Sequence, residues 1–168
     1  GRHELPWRKT HNPYRVMVSE TMLQQTQVQR VIPYYRNFLK RFPSVEALAE
    51  APLSDVLKAW SGLGYNRRAK MLHEAAKVVA TRGGAMPRTR EELEELPGVG
   101  AYTAGAIRAF AYDEPEVFIE TNIRTVLIHH FFPRGRSVTD KRLVPILEAC
   151  IAEVNSPREW YAALMDYG

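Results

Sequence analysis

Apolar residues recur at helical intervals along nearly the whole chain and alternate along almost none of it, which restricts the fold to packed helices. Within residues 26–40, Val28, Val31, Ile32, Tyr35 and Leu39 share one stripe, predicting an amphipathic helix with Pro33 as a kink. Ser44 is placed to cap a short helix through Ala51, residues 53–60 predict another, and residues 67–82 a long one stopped by Gly83 and Gly84. Thr89-Arg90-Glu91-Glu92 and Ser156-Pro157-Arg158-Glu159 read as capping boxes, the second with proline at the first helical position. Residues 101–110 predict a helix of small side chains that lets another backbone come close, and residues 122–131 and 140–154 complete the set. Only residues 116–119 read as extended, so the fold class is all-α, without repeats or a low-complexity linker.

At 168 residues, 45% hydrophobic and 25% charged, the chain has the composition of a soluble globular protein of one domain or two small ones. No apolar run reaches the length of a membrane span, and residues 1–8 carry charges and Pro6 where a signal peptide needs an apolar stretch, which points to an intracellular protein. Cys150 is the only cysteine, so this chain's own residues form no disulfide, zinc tetrad or iron–sulfur cluster. The net charge of +4 is unevenly spread: residues 1–84 hold 14 Lys/Arg against 6 Asp/Glu, residues 85–168 hold 9 against 13. A basic half of that kind attracts polyanions, nucleic acid first, although charge alone is equally that of a solvated Arg-rich face.

The most informative stretch is Leu96-Pro97-Gly98-Val99-Gly100, between a capped helix and the small-residue helix. Two glycines two apart permit a tight turn with positive φ, and the expected turn leaves the N–H groups of residues 98–102 unpaired at a helix N-terminus, where phosphate binds. A bare GxG is more often an ordinary turn; helices on both sides and the following Tyr-Thr-Ala-Gly-Ala make it resemble a helix-hairpin-helix element that grips the DNA backbone without reading sequence.

Further motifs carry a wider resemblance. Leu5-Pro6-Trp7, Pro13-Tyr14, Ser19-Glu20, Met22 to Val28, Gly62-Leu63-Gly64-Tyr65 with Arg67, Arg68 and Ala69, and Leu96 to Ala106 resemble the MutY-type adenine DNA glycosylases, members with endonuclease III of the helix-hairpin-helix base-excision superfamily. The resemblance covers nearly the whole chain. It implies a six-helix barrel over residues 13–113 and a second helical domain built from residues 1–12 and 114–168, with the active site between them.

It also implies roles. Glu20 falls on the catalytic glutamate that protonates the adenine and helps place water. Leu23 and Gln25 match residues that fill the gap left by the base and contact the opposite base, although Leu23 reads equally as core. Gln24, Thr26, Tyr65, Arg67, Gly98, Val99, Gly100 and Thr103 fall on DNA-contacting positions. Tyr102 stands where bifunctional relatives carry a Schiff-base lysine, and no lysine lies between Lys77 and Lys141, so the implied enzyme is monofunctional, without strong lyase activity. At Ile119-Glu120-Thr121-Asn122 the sequence departs from the family's aspartate, glycine, asparagine: Glu120 replaces the aspartate and Thr121 the glycine. The added methylene shifts the carboxylate by about 1 Å, enough to cost on the order of 100-fold in rate unless compensated. Asn122 reads equally as a catalytic residue and as the N-cap of its helix.

Two carboxyl groups in opposite roles suit the chemistry, because breaking an N-glycosidic bond needs an acid on the leaving base and a negative charge beside the cationic sugar. Apolar burial is expected to keep Glu20 protonated near neutral pH, and a helix N-terminus to favour the Glu120 anion. The expected partner is double-stranded DNA with a mismatch or lesion, most simply adenine opposite 8-oxoguanine or guanine, bound by a monomer in a bacterial or archaeal cytoplasm, at the nucleoid, without membrane contact. A thymine or uracil mismatch glycosylase and a non-catalytic DNA-binding protein are the alternatives. No cofactor is expected within the chain; an iron–sulfur cluster requires a parent protein that continues with four cysteines past Gly168. His129 and His130 are expected to diverge from one helix and not form a zinc pair, Trp60 and Trp160 to lie in the core, and Arg134-Gly135-Arg136 reads equally as a phosphate contact and as an exposed basic loop.

Overall fold

The structure is a computed structural model that describes residues 5–135 and 137–168; residues 1–4 and Arg136, which belong to the expected second domain and basic loop, lie outside the described residues. A 3₁₀ turn at Pro6–Lys9 precedes ten helices: α1 Pro13–Leu23, α2 Val28–Arg41, α3 Val45–Glu50, α4 Leu53–Trp60, α5 Arg67–Thr81, α6 Arg90–Glu94, α7 Ala101–Tyr112, α8 Thr121–Phe131, α9 Asp140–Glu153 and α10 Pro157–Tyr167. No strand occurs among the described residues, and no described helix is long and apolar enough to cross a membrane.

Local chemistry sets most of these boundaries. Asn12, Ser44, Thr89 and Ser156 each accept a backbone N–H of the first turn they precede, and Gly83 and Gly84 close α5 with positive φ. Helix α2 starts at Val28, two residues later than the pattern suggests, and runs on through Pro33. Val28 itself is exposed, so Val31, Tyr35 and Phe38 are the buried face. Residues 116–119 have no regular secondary structure and pair with no strand. Trp60 is fully buried, whereas Trp160 is only partly covered. Asn122 does not cap α8: Glu120 is the cap, its carboxylate accepting the Ile123 N–H at 2.7 Å. A glutamate is an unfavoured cap, so side-chain preference pointed two residues too far along.

Two hydrophobic clusters result. The first wraps around α1, which is buried on nearly every side through Val16, Met17, Val18 and Met22, and includes Trp60, Phe38, Leu72 and Leu93. The second gathers Phe118, Ile123, Leu127, Leu143, Leu147 and Tyr161 from α7 to α10. Helix α7 serves both, with Ala104 and Ile107 in the first and Ala106 and Ala109 in the second. Its small residues make this possible: a Cβ on Gly105 would stand 3.2 Å from the Phe118 Cβ. The amino-terminal segment also spans both, since Leu5 and Trp7 are buried in the first cluster while Arg8 donates to Asp166 of α10 at 2.8 Å and Arg158 of α10 donates to the carbonyls of Arg8, Thr10 and Phe110.

The hairpin between α6 and α7 turns on Gly98, at φ +76°, where a Cβ would lie 2.7 Å from the Cβ of Met71. Gly98→Ala is therefore expected to destabilise the chain by about 1–3 kcal/mol, from left-handed strain and overpacking. Gly100, at φ −95° with nothing near its missing Cβ, should tolerate alanine at a cost below about 1 kcal/mol. Urea denaturation of the two variants checks the difference.

Candidate active site

Glu20 lies in the last two turns of α1 and is one of four buried polar side chains among the described residues, with 5% of its surface exposed. Burial raises its carboxyl to about 7; a hydrogen bond with Tyr102 opposes the rise, and the charge of Glu120 adds to it. The Tyr102 phenol is pushed far above its ordinary range by burial and by both glutamates, so it stays neutral and serves as a hydrogen-bond donor. It is fixed edge-on to Phe118, with ring centroids 5.6 Å apart.

Glu20, Leu23, Gln24, Tyr102, Glu120 and Arg124 line a hollow of about 370 Å³, so the structure brings together the two carboxyl groups that the sequence places 100 residues apart. Glu120 reaches this place through the connector between α7 and α8. Asp113, in left-handed conformation, accepts from Ser156 Oγ and the Arg158 N–H at the start of α10. Glu116 is held between Arg90, at 2.7 Å, and Arg108, and its carbonyl accepts from Tyr161 OH. Phe118 then stacks on Tyr161 with centroids 4.1 Å apart. Three anchors in six residues leave the Glu120 end of the connector little freedom.

On one side the hollow meets a groove of about 900 Å³, with Gln24, Tyr102 and Thr103 lining it beside Gln25, Tyr65 and Arg67 and the hairpin residues Gly98, Val99 and Gly100. Gln25 and Tyr65 are exposed and left-handed, at φ 55° and 49°, each a conformation that costs roughly 1–2 kcal/mol and concentrates at functional surfaces. Arg67 is exposed beside them. The hairpin departs from expectation at Val99, whose N–H is donated to the Leu96 carbonyl at 3.0 Å and whose side chain enters the first core; the tight turn consumes that donor in closing itself. The N–H groups of Ala101, Tyr102 and Thr103 remain as the open first turn of α7. Thr103 is buried and accepts from Gln24 Nε2 at 3.3 Å, and Thr26 is held by Arg68.

On its other side Glu20, with Leu23, borders a deeper chamber of about 740 Å³ whose walls include Trp7, Arg8, Phe110, Asn122 and Asp166. Asn122 shares this chamber with Glu20, whereas Glu120 shares the smaller hollow with it. Trp7, Arg8 and Asp166 were not legible as site residues: the Arg8–Asp166 pair joins positions 158 apart, and no local pattern signals it. Arg68 was likewise missed, and it organises the groove wall. Among the described residues no group of three or more His, Cys, Asp or Glu side chains is arranged to hold a metal ion. Cys150, half-buried on α9, offers a single thiolate, which does not fit an iron–sulfur cluster. His129 and His130 are exposed with their rings 5.1 Å apart.

Comparison with known proteins agrees with this geometry. The chain is 39% identical over 170 residues to an adenine DNA glycosylase of Buchnera aphidicola subsp. Baizongia pistaciae, covering 100% of this chain and 48% of that protein. It is 38% identical to an adenine DNA glycosylase of Mycolicibacterium smegmatis, covering 100% and 58%. The chain thus spans about half the length of the curated relatives it matches. A solved thermostable thymine-DNA glycosylase superposes with a TM-score of 0.87 at 29% identity, over 98% of this chain and 77% of that one. The model of the HhH-GPD superfamily base excision DNA repair proteins matches residues 18–150, and the chain belongs to that family.

Proposed function

We propose that this chain is the catalytic part of a monofunctional DNA glycosylase that extrudes and hydrolyses a mispaired adenine, opposite 8-oxoguanine or guanine. The observation that carries the reading is a carboxyl group poised near neutrality, Glu20, lining both a chamber suited to a base and the hollow that adjoins a groove suited to a duplex. The open first turn of α7 and the basic amino-terminal half would hold phosphates without reading sequence. The flipped purine would enter the chamber beside Trp7 and Arg8; unstacking costs a few kcal/mol and is cheapest at a mispair. As the bond between sugar C1′ and the base nitrogen breaks, its electron pair leaves with the base and the Glu20 proton neutralises it. Glu120 stabilises the oxocarbenium ion left behind. Water then adds to C1′ and returns a proton to Glu20. Tyr102 keeps the two carboxyl groups apart in role by donating a hydrogen bond and offering no amine.

Adenine is favoured because the curated relatives at 38–39% identity are named for it, whereas the resemblance to the thymine-DNA glycosylase is lower, at 29%. The active unit is proposed as a monomer of two domains, residues 13–113 and residues 1–12 with 114–168, acting at the nucleoid in a bacterial or archaeal cytoplasm. A cluster would need cysteines past Gly168, and no step above depends on one.

Single-turnover release on duplexes with adenine opposite 8-oxoguanine tests the reading, with thymine and uracil mispairs as controls. Glu20→Gln should lower release by about 100-fold to 10,000-fold while duplex affinity stays within about threefold. Because the protonated form is the active one, the wild-type rate should be level below about pH 7 and fall with rising pH above it. A profile rising through pH 7 would remove Glu20 as the acid. Glu120→Gln keeps an oxygen to cap Ile123 yet loses the charge, and should cost roughly 100-fold or more in rate with thermal stability nearly kept. Borohydride should trap no enzyme–DNA adduct; efficient trapping would contradict the role given to Tyr102. A chain that shifts duplex mobility and releases no base would be a binding protein instead.

A further inference from the structure

The Arg68 guanidinium meets an unusual set of partners. Its Nη1 donates to the carbonyls of Thr21, Met22 and Gln24 at 2.9, 2.8 and 2.6 Å, and its Nη2 to Thr26 Oγ1 at 3.1 Å and the Gly64 carbonyl at 3.0 Å. Its Nε points to the Tyr65 carbonyl at 3.4 Å, and the group lies over the Trp60 and Tyr65 rings at 5.3 and 5.5 Å. Every N–H of the fork is engaged, and no carboxylate is among the partners. The acceptors fall into two sets: the carbonyls ending α1 together with its exit loop, and the loop leading into α5. Gln25 stands in the first loop and Tyr65 in the second, and both are left-handed non-glycine residues facing the groove.

We infer that Arg68 is a positioning residue that locks the exit loop of α1 to the loop before α5, so that Gln25 and Tyr65 meet the duplex as one preformed edge. The inference rests on the glycosylase reading for what the edge does, and on this geometry alone for the lock. With its donors committed, Arg68 is not itself a phosphate contact; the adjacent Arg67 is exposed and has no partner among the described residues, which leaves it for that task. The helix C-terminus supplies the negative potential that compensates the guanidinium. Lysine would keep the charge but lose the planar fork, and one ammonium does not span both loops.

Arg68→Lys in the full chain tests this. The Thr26 and Leu63 amides, which donate to the Leu23 and Trp60 carbonyls, report the two loops by hydrogen exchange. Both should exchange at least about tenfold faster in the variant, together, with the amides of α8 unchanged, as expected for local opening and not global unfolding. Single-turnover adenine release should fall on the order of 10-fold to 100-fold, the size of effect that misplacement produces. The pH midpoint near 7 should stay, because Glu20 keeps its surroundings. Unchanged protection of both loops, loosening of one alone, equal acceleration throughout α8, or a displaced midpoint would each overturn the proposal. A wild-type chain that releases no base would remove the glycosylase reading, and the two amides would still decide the lock.

Discussion

A carboxyl group buried among apolar side chains has two ways to exist there, as a neutral acid or as an anion paired with cations, and the cation that acts on Glu20, Arg8, is paired with Asp166. Its rise from 4.5 to about 7 corresponds to on the order of 3 kcal/mol of preference for the protonated form. That preference is a property of the whole first core. Helix α1 is surrounded by α2, α5 and α7, and Val16, Met17, Val18 and Met22 leave it no solvent-facing stripe along its length. The acid is thus made by the same packing that makes the fold, and any change that admits water beside α1 weakens both.

The second core brings another carboxyl group, Glu120, to the hollow that Glu20 lines. The Glu120 charge raises the cost of ionising Glu20, and the Tyr102 phenol opposes that rise by its hydrogen bond to Glu20. The connector from Asp113 to Glu120 is held through anchors that belong to three other elements: α6 through Arg90, α7 through Arg108, and α10 through Ser156 and Tyr161. Helix α7 transmits the arrangement, because Ala104, Gly105, Ala106 and Ala109 keep it thin enough to lie between both cores. Larger side chains there would push Tyr102 and Phe118 apart, and the hollow would lose its wall.

Legibility in the sequence followed the range of the interaction. Ser44, Thr89 and Ser156 signal their helices because a cap acts over three residues, and the pattern contains both partners. The glycines of the hairpin mark a turn for the same reason, and the motifs around Glu20, Gln25 and Tyr65 locate the groove. What stayed hidden depends on distant partners: Arg8 with Asp166, Arg68 with the end of α1, Glu116 between Arg90 and Arg108. An arginine bonded only to carbonyls leaves no trace in residue types, since every residue has a carbonyl. The shift of the α8 cap from Asn122 to Glu120 is a related case, in which the local preference for asparagine was overridden.

That override bears on the glutamate that stands where the resembling family has aspartate. A longer side chain is a liability at a reacting centre if it swings, because each rotamer displaces the charge from the sugar. Here one oxygen of Glu120 is tied to the Ile123 N–H at the start of α8, which folds the extra methylene back over the helix end. The side chain loses the freedom that length would have given it and still lines the hollow it shares with Glu20 and Tyr102. Thr121, in place of glycine, adds a constraint on the backbone at the first position of α8, where an unbranched glycine would let the cap breathe. The two departures from the family pattern thus act in the same direction: the substitution that lengthens the carboxylate is accompanied by one that stiffens its support.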